Sequence, residues 1–156
     1  MWESDDKRDR AVALAYRAVA SCDRTEEELR SFLDRRGVAS EDVEFAVADL
    51  TRAGYLGDDD YAARFVADKR SIEGWGRERI ARTLARKGVV VEAVEAALGE
   101  VTRDEELAAA RGLLRERFRE PLLVDRERDR AWRLLVRRGY HPELAYEAVR
   151  GHEPRP

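Results

Sequence analysis

Apolar residues along this chain fall three and four positions apart, the spacing that lines one face of a helix. The stripes recur at a fixed interval. Gly37, Gly88 and Gly139 stand 51 residues apart, as do Leu33, Leu84 and Leu135, and Ala46, Ala97 and Ala148. Looser matches follow the same shift: Leu29, Ile80 and Ala131; Val43, Val94 and Ala145; Val47, Leu98 and Val149. A basic pair precedes each glycine: Arg35-Arg36, Arg86-Lys87 and Arg137-Arg138. Self-similarity at this period is the mark of stacked helical repeats, each too small to bury a face alone.

Each repeat reads as three helices. In the first, Leu14, Ala15 and Ala18 mark one helix. Thr25, with Glu28 three residues on, predicts a capping box for the next. Leu29, Phe32 and Leu33 are its buried stripe and Gly37 its left-handed stop. Ser40 is the expected cap of the third helix, which buries Val43, Ala46, Val47 and Leu50. In the second repeat an aspartate of Asp58–Asp60 caps a helix over Tyr61–Ile72. A Gly74-Trp75-Gly76 turn follows, with Trp75 expected to pack the turn against the repeat's third helix. Next come a helix over Arg77–Lys87, the Gly88 stop and a helix from Val91 to Val101. The third repeat starts near Asp104, has a longer connection at Glu120-Pro121, and places Pro142 in the first turn of its last helix, where proline is accepted. The expected fold is all-α: three helix-turn-helix-like repeats over residues 7–54, 55–102 and 103–151, in an elongated array, straight or curved. Residues 1–6 and 152–156 are expected as flexible tails.

Composition narrows the class. Charged residues make up 40% of the chain and aromatics 8%, which favours small helical units over one large core. The net charge of −3 hides an uneven spread: residues 1–60 carry −7, residues 61–88 carry +5 and residues 103–139 carry +3. No apolar run approaches the roughly 20 residues of a membrane span. The acidic start, Met1 to Lys7, is unlike a leader peptide, so a cytoplasmic protein is expected. Cys22 is the single cysteine and reads as a small buried hydrophobe. Neither a metal site nor a cofactor is expected, and no nucleophile–base arrangement or phosphate loop is visible. The aspartates at 58–60 suit helix capping better than a metal.

The differences between repeats carry more information than the matches. Basic pairs before a glycine follow from the helix dipole alone. No capping argument explains Arg79, Arg82 and Arg86, which lie opposite the Ile80/Leu84 stripe. A shift of 51 gives Arg130, Arg133 and Arg137; the reverse shift gives Glu28, Ser31 and Arg35. The simpler reading is a solvated face with ion pairs to Glu78 and Asp129. The functional reading is a pair of arginine rows suited to phosphates or carboxylates on a partner, with Lys69 and Arg70 as further candidates.

One stretch is distinctive: Ala53-Gly54-Tyr55-Leu56-Gly57-Asp58-Asp59-Asp60-Tyr61-Ala62, then Phe65-Val66, Lys69-Arg70, Gly74-Trp75-Gly76, Arg79-Ile80, Leu84 and Lys87-Gly88-Val89. With Glu28-Leu29-Arg30, Leu33 and Gly37 upstream, it resembles the RecX family of regulatory proteins over nearly the whole chain. The resemblance implies a non-enzymatic modulator that binds the RecA filament, inhibits its ATPase, strand-exchange and co-protease activities, and contacts single- or double-stranded DNA; a monomer is expected. The acidic first repeat departs from the basic character a groove binder would show. Two other readings stay open: a stand-alone DNA-binding repeat protein, and an enzyme built on Asp58–Asp60.

Overall fold

The computed structural model describes residues 2–154. Among these the chain is all-α, with no strand and nine helices: α1 Trp2–Ser21, α2 Glu26–Arg35, α3 Ser40–Arg52, α4 Asp58–Ser71, α5 Arg77–Arg86, α6 Val91–Gly99, α7 Arg103–Arg117, α8 Asp125–Arg137 and α9 Pro142–Arg150. The chain forms two compact units. Unit 1 takes the chain up to Ala62 together with Leu84–Val94; unit 2 takes Ala63–Thr83 and the chain from Glu95 onward.

In unit 1, α1 packs against α3 and α2. Ala15 and Ala18 of α1 meet Leu29 and Leu33 of α2 and Val43, Ala46, Val47 and Leu50 of α3. The small residues of α1 let the helices approach closely, while leucine fills the space between them. In unit 2, α7 and α8 pack on α9 through Leu107, Ala110, Leu114, Ala131, Leu135, Ala145 and Ala148, with Tyr140 buried among them.

The helix ends explain the repeat. Thr25 caps α2 as expected: its hydroxyl accepts from the Glu28 amide at 3.1 Å, and Glu28 accepts from the Thr25 amide at 3.1 Å. The same hydroxyl donates to Lys87 O at 2.7 Å, so one buried threonine ties the start of α2 to the turn before Gly88. Fifty-one residues on, the Gly76 amide donates to Arg138 O at 2.7 Å and the Glu78 amide to Gly139 O at 2.9 Å. Each unit therefore contains one copy of the same contact: a glycine turn laid on the first turn of an earlier helix. Gly88 and Gly139 have φ of +83° and +97°, a region other residues enter at a cost of about 1–2 kcal/mol. They are also pressed close. A Cβ on Gly88 would lie 2.6 Å from Glu27 Cγ, and one on Gly139 would lie 2.5 Å from the Arg79 backbone nitrogen. Gly37 has φ +77° but nothing within 4 Å.

Four local expectations are corrected. Ser40 is the first residue of α3, and its N-cap is Ala39, with no side-chain cap bond. Asp58 opens α4 but its carboxylate reaches back to accept the Glu26 amide at 2.9 Å, so it caps α2. Cys22 is exposed. The helix α1 begins at Trp2, taking in residues expected as a tail. At the other end His152–Pro154 are non-helical, and Arg155 and Pro156 lie outside the described residues.

The two glycine environments separate steric approach from backbone conformation. Gly37→Ala should cost about 1 kcal/mol, the left-handed conformation alone. Gly139→Ala should cost at least about 3 kcal/mol, because backbone of α5 must also move. Urea unfolding of the two variants measures this; equal losses would show that the close approach contributes nothing.

A basic candidate interface around Trp75

The Gly74-Trp75-Gly76 turn is held from several sides within unit 2. The Trp75 amide donates to Lys69 O at 3.0 Å. The Tyr140 hydroxyl donates to Gly74 O at 3.0 Å, and Arg138 Nη1 donates to Glu73 O at 2.7 Å. At the start of α5 the Arg77 amide donates to Glu106 Oε1 at 2.7 Å, and Arg77 Nη1 donates to Leu98 O at 2.9 Å. The other Glu106 oxygen pairs with Arg70 Nη1. Glu106 is a buried carboxylate in the first turn of α7, 5% exposed, and an acid so buried needs a cation and hydrogen bonds together. It has both.

The geometry sorts the candidate residues. Arg70 turns inward to Glu106 and serves the fold. Lys69 pairs with Glu73 at 2.5 Å, and its ammonium lies 4.7 Å from the centre of the Trp75 ring. The Arg79 guanidinium lies 3.9 Å from that ring centre, and Phe65 meets the same indole edge-on at 6.2 Å. The ring partners of Trp75 are thus on α4 and α5, where packing on the third helix of the repeat was expected. A guanidinium stacked on indole is fixed in direction while its N–H edge stays free to bind. Arg82, Arg130 and Arg137 are exposed and form no ion pair among the described residues. Arg133 pairs with Asp129 at 3.0 Å, the intra-helix pairing that the simpler reading anticipated. Arg86, the last residue of α5, is exposed and has contacts of its own.

The glycine contact brings the start of α5 against the end of α8, so Arg79 comes up to the Arg137-Arg138-Gly139 turn. Arg138 does not stand out in the sequence, because the helix dipole alone accounts for a basic pair before a glycine. Register would have found it: Arg138 corresponds to Lys87, and Arg79 to Glu28. In unit 1 that pair is a salt bridge, Lys87 Nζ to Glu28 Oε2 at 3.4 Å. In unit 2 the acid is replaced by arginine, leaving two cations at the same place. Neither Arg79 nor Arg138 has an ion pair among the described residues; one rests on an indole and the other on a carbonyl. Glu106 carried no sequence signal, since nothing in its spacing sets it apart from its acidic neighbours.

An all-helical chain of three-helix elements with an arginine-rich surface has the build of a binding protein. Residues 58–98 match the family model described as the second three-helix domain of RecX. The regulatory protein RecX of Amycolatopsis mediterranei is 33% identical over 94% of this chain and 85% of its own length. That of Mycolicibacterium vanbaalenii is 33% identical over 94% and 84%. Two solved structures share the fold: RecX from Lactobacillus salivarius, TM-score 0.82 at 17% identity, covering 94% of this chain and 96% of that one, and a second regulatory protein RecX, TM-score 0.81 at 22% identity over 95% and 73%. The chain belongs to the RecX family of regulatory proteins.

Tyr140 makes the anchoring of this turn measurable. Burial, with Glu106 nearby adding to it, pushes its phenol up to about 12 from an ordinary value of 10.0. The folded form therefore keeps the proton that the unfolded chain gives up, and stability present below pH 10 is lost as the pH rises from about 10 to 12. Tyr140→Phe should cost about 1 kcal/mol at pH 7, the hydrogen bond to Gly74. At pH 11 it should also remove about 1–1.5 kcal/mol of the alkaline loss, half of the roughly 2–3 kcal/mol that the full shift is worth, leaving a slope to which Tyr16, Tyr61 and Lys87, all raised too, contribute. Urea unfolding at pH 7 and pH 11 checks both; an unchanged alkaline slope would contradict the buried, neutral phenol.

Proposed function

We propose that this chain is a cytoplasmic regulator that binds the RecA recombinase filament on DNA and inhibits its ATP hydrolysis, strand exchange and co-protease activity, restraining recombination and the damage response. The regulatory part of this reading follows from the family. The filament, and the surface that meets it, are inferred. One observation supports the surface above others: the contact that unit 1 builds with a Glu28–Lys87 salt bridge is built in unit 2 with Arg79 and Arg138, neither with a carboxylate partner. Uncompensated arginines cost stability through mutual repulsion and are suited to bidentate capture of phosphates or carboxylates. We assign Lys69, Arg79, Arg82, Arg137 and Arg138 of unit 2, continued by Arg130 and Arg133 on α8, to the partner surface, and keep Arg86 of unit 1 as a separate candidate. Arg70 is left to the fold. The acidic groups of unit 1 would then face a basic protein surface. There, burial and the neighbouring Asp58 hold the Glu26 carboxyl above the usual carboxylate range.

A second reading, a DNA-binding helical protein that acts without a recombinase, is supported by the same arginine rows. One assay separates the two. DNA-dependent ATP hydrolysis by the cognate RecA should fall when this chain is added at stoichiometric levels, and Arg79→Glu with Arg82→Glu should weaken that inhibition by about tenfold or more. No effect of the unaltered chain would sink the regulator reading. Tight duplex binding without RecA, combined with no effect on hydrolysis, would establish the second.

A further inference from the structure

The groove between α8 and α9 in unit 2 belongs to no contact described above. Its volume is about 880 Å³. Trp132 and Tyr146 supply aromatic walls, with Leu122 and Val149 completing the apolar surface. The Trp132 indole N–H is already bound, donating to Pro142 O at 3.0 Å, so its ring offers the groove only apolar faces. Tyr146 is 62% exposed; a large aromatic standing free beside an open cleft is a feature that folding alone does not require.

The groove is lined by two carboxylates, Asp125 and Asp129, and two guanidiniums, Arg128 and Arg150. Its carboxylates each have a cation on α8: Asp125 pairs with Arg128 at 3.5 Å and Asp129 with Arg133 at 3.0 Å. Arg150, on the opposite wall, has no ion pair among the described residues. His152 lies beside it, its Nε2 donating to Phe118 O at 3.0 Å. A cleft with two aromatic rings, an apolar floor and one uncompensated guanidinium is complementary to a flat ring that carries an anion. The groove also adjoins the Arg130/Arg133/Arg137 row on the same helix, and the Asp129–Arg133 pair lies where the two faces meet.

We infer that this groove takes an unstacked base of single-stranded nucleic acid, whose sugar–phosphate backbone runs along the arginine row of α8. The base stacks on Tyr146 and Trp132, and Arg150 binds a phosphate of the same nucleotide. Aromatic side chains beside a basic track are the general means of holding a single strand, because every base offers a π-face. A duplex keeps its bases stacked inside and cannot fill the groove. Discrimination between single strand and duplex therefore resides in α8 and α9, while the arginine rows bind either form. The inference rests on the anion-binding reading of the α8 row and does not require a recombinase.

The test is binding of the full chain to a labelled thymidine 20-mer and to a duplex of the same length, by fluorescence anisotropy without any recombinase. Tyr146→Ala and Arg150→Ala should each weaken single-strand binding about five- to tenfold and change duplex binding less than about twofold. Tyr146→Phe should restore the single-strand affinity, which loss of structure would not. Arg130→Ala should weaken both forms. Replacing one thymine by 5-iodouracil and irradiating should cross-link the strand to Tyr146 or Trp132. Equal losses for both forms on Tyr146→Ala, unchanged single-strand affinity, or cross-links to Trp75 alone would overturn the assignment. So would displacement of neither form by any groove variant but tight capture of an acidic, leucine-rich peptide, which would make the groove a protein-docking site. A chain that binds no single strand yet still inhibits RecA would fail this inference and leave the regulator reading standing.

Discussion

The fold depends on how closely the turn ending one helix can approach the start of an earlier one. At Gly88 and Gly139 the backbone sits where a methyl group would overlap the side chain of Glu27 or the backbone of Arg79. That proximity lets Lys87 O reach the Thr25 hydroxyl and Arg138 O reach the Gly76 amide, each at 2.7 Å. Buried carbonyls at helix ends must find donors, and here the preceding helix start supplies them. Its own unpaired amides and positive dipole end face the carbonyl-rich turn. The contact is polar and geometric, which is why it can recur at a fixed interval along a chain with little aromatic mass.

Once geometry holds the contact, its side chains are free to differ. Unit 1 places a carboxylate and an ammonium across it, and the charges cancel. Unit 2 places two guanidiniums there, stacks one on Trp75 and ties the other to Glu73 O. The stacking keeps Arg79 extended and directed, and the Glu106–Arg70–Arg77 cluster fixes the helix start beneath it. The rigid parts of the surface are thus neutralised and buried, and the charges left unmatched are those presented outward. This separation of supporting and presented charge is the physical basis for reading the surface as a partner site.

Much of this was legible in the sequence, and the misses share a cause. Helix ends are local events, so Thr25, Glu28 and the three glycines announced themselves through spacing. A glycine needed for φ and a glycine needed for close approach look alike in a sequence, so Gly37 could not be told from Gly139. Asp58 caps a helix 32 residues back, and Arg70 pairs with a carboxylate 36 residues on; no local pattern encodes either. The exposed Cys22 sits just past the end of α1, where the apolar stripe no longer dictates burial. The arginine rows were visible from periodicity, but their relation to Trp75 and Arg138 required the contact itself.

The central claim is that side-chain volume at the start of α2 forbids anything larger than glycine at position 88. A double-mutant cycle in urea tests it directly, using Gly88→Ala, Glu27→Gly and the two together. With the Glu27 side chain gone, the nearest atom to an added Cβ would be the Glu27 Cα at 3.9 Å, an ordinary contact. A favourable coupling of about 1 kcal/mol or more is expected, the double variant being more stable than the sum of the single losses implies. Additive losses would show that Gly88 is required for its backbone conformation alone, and that the close approach does not organise the fold.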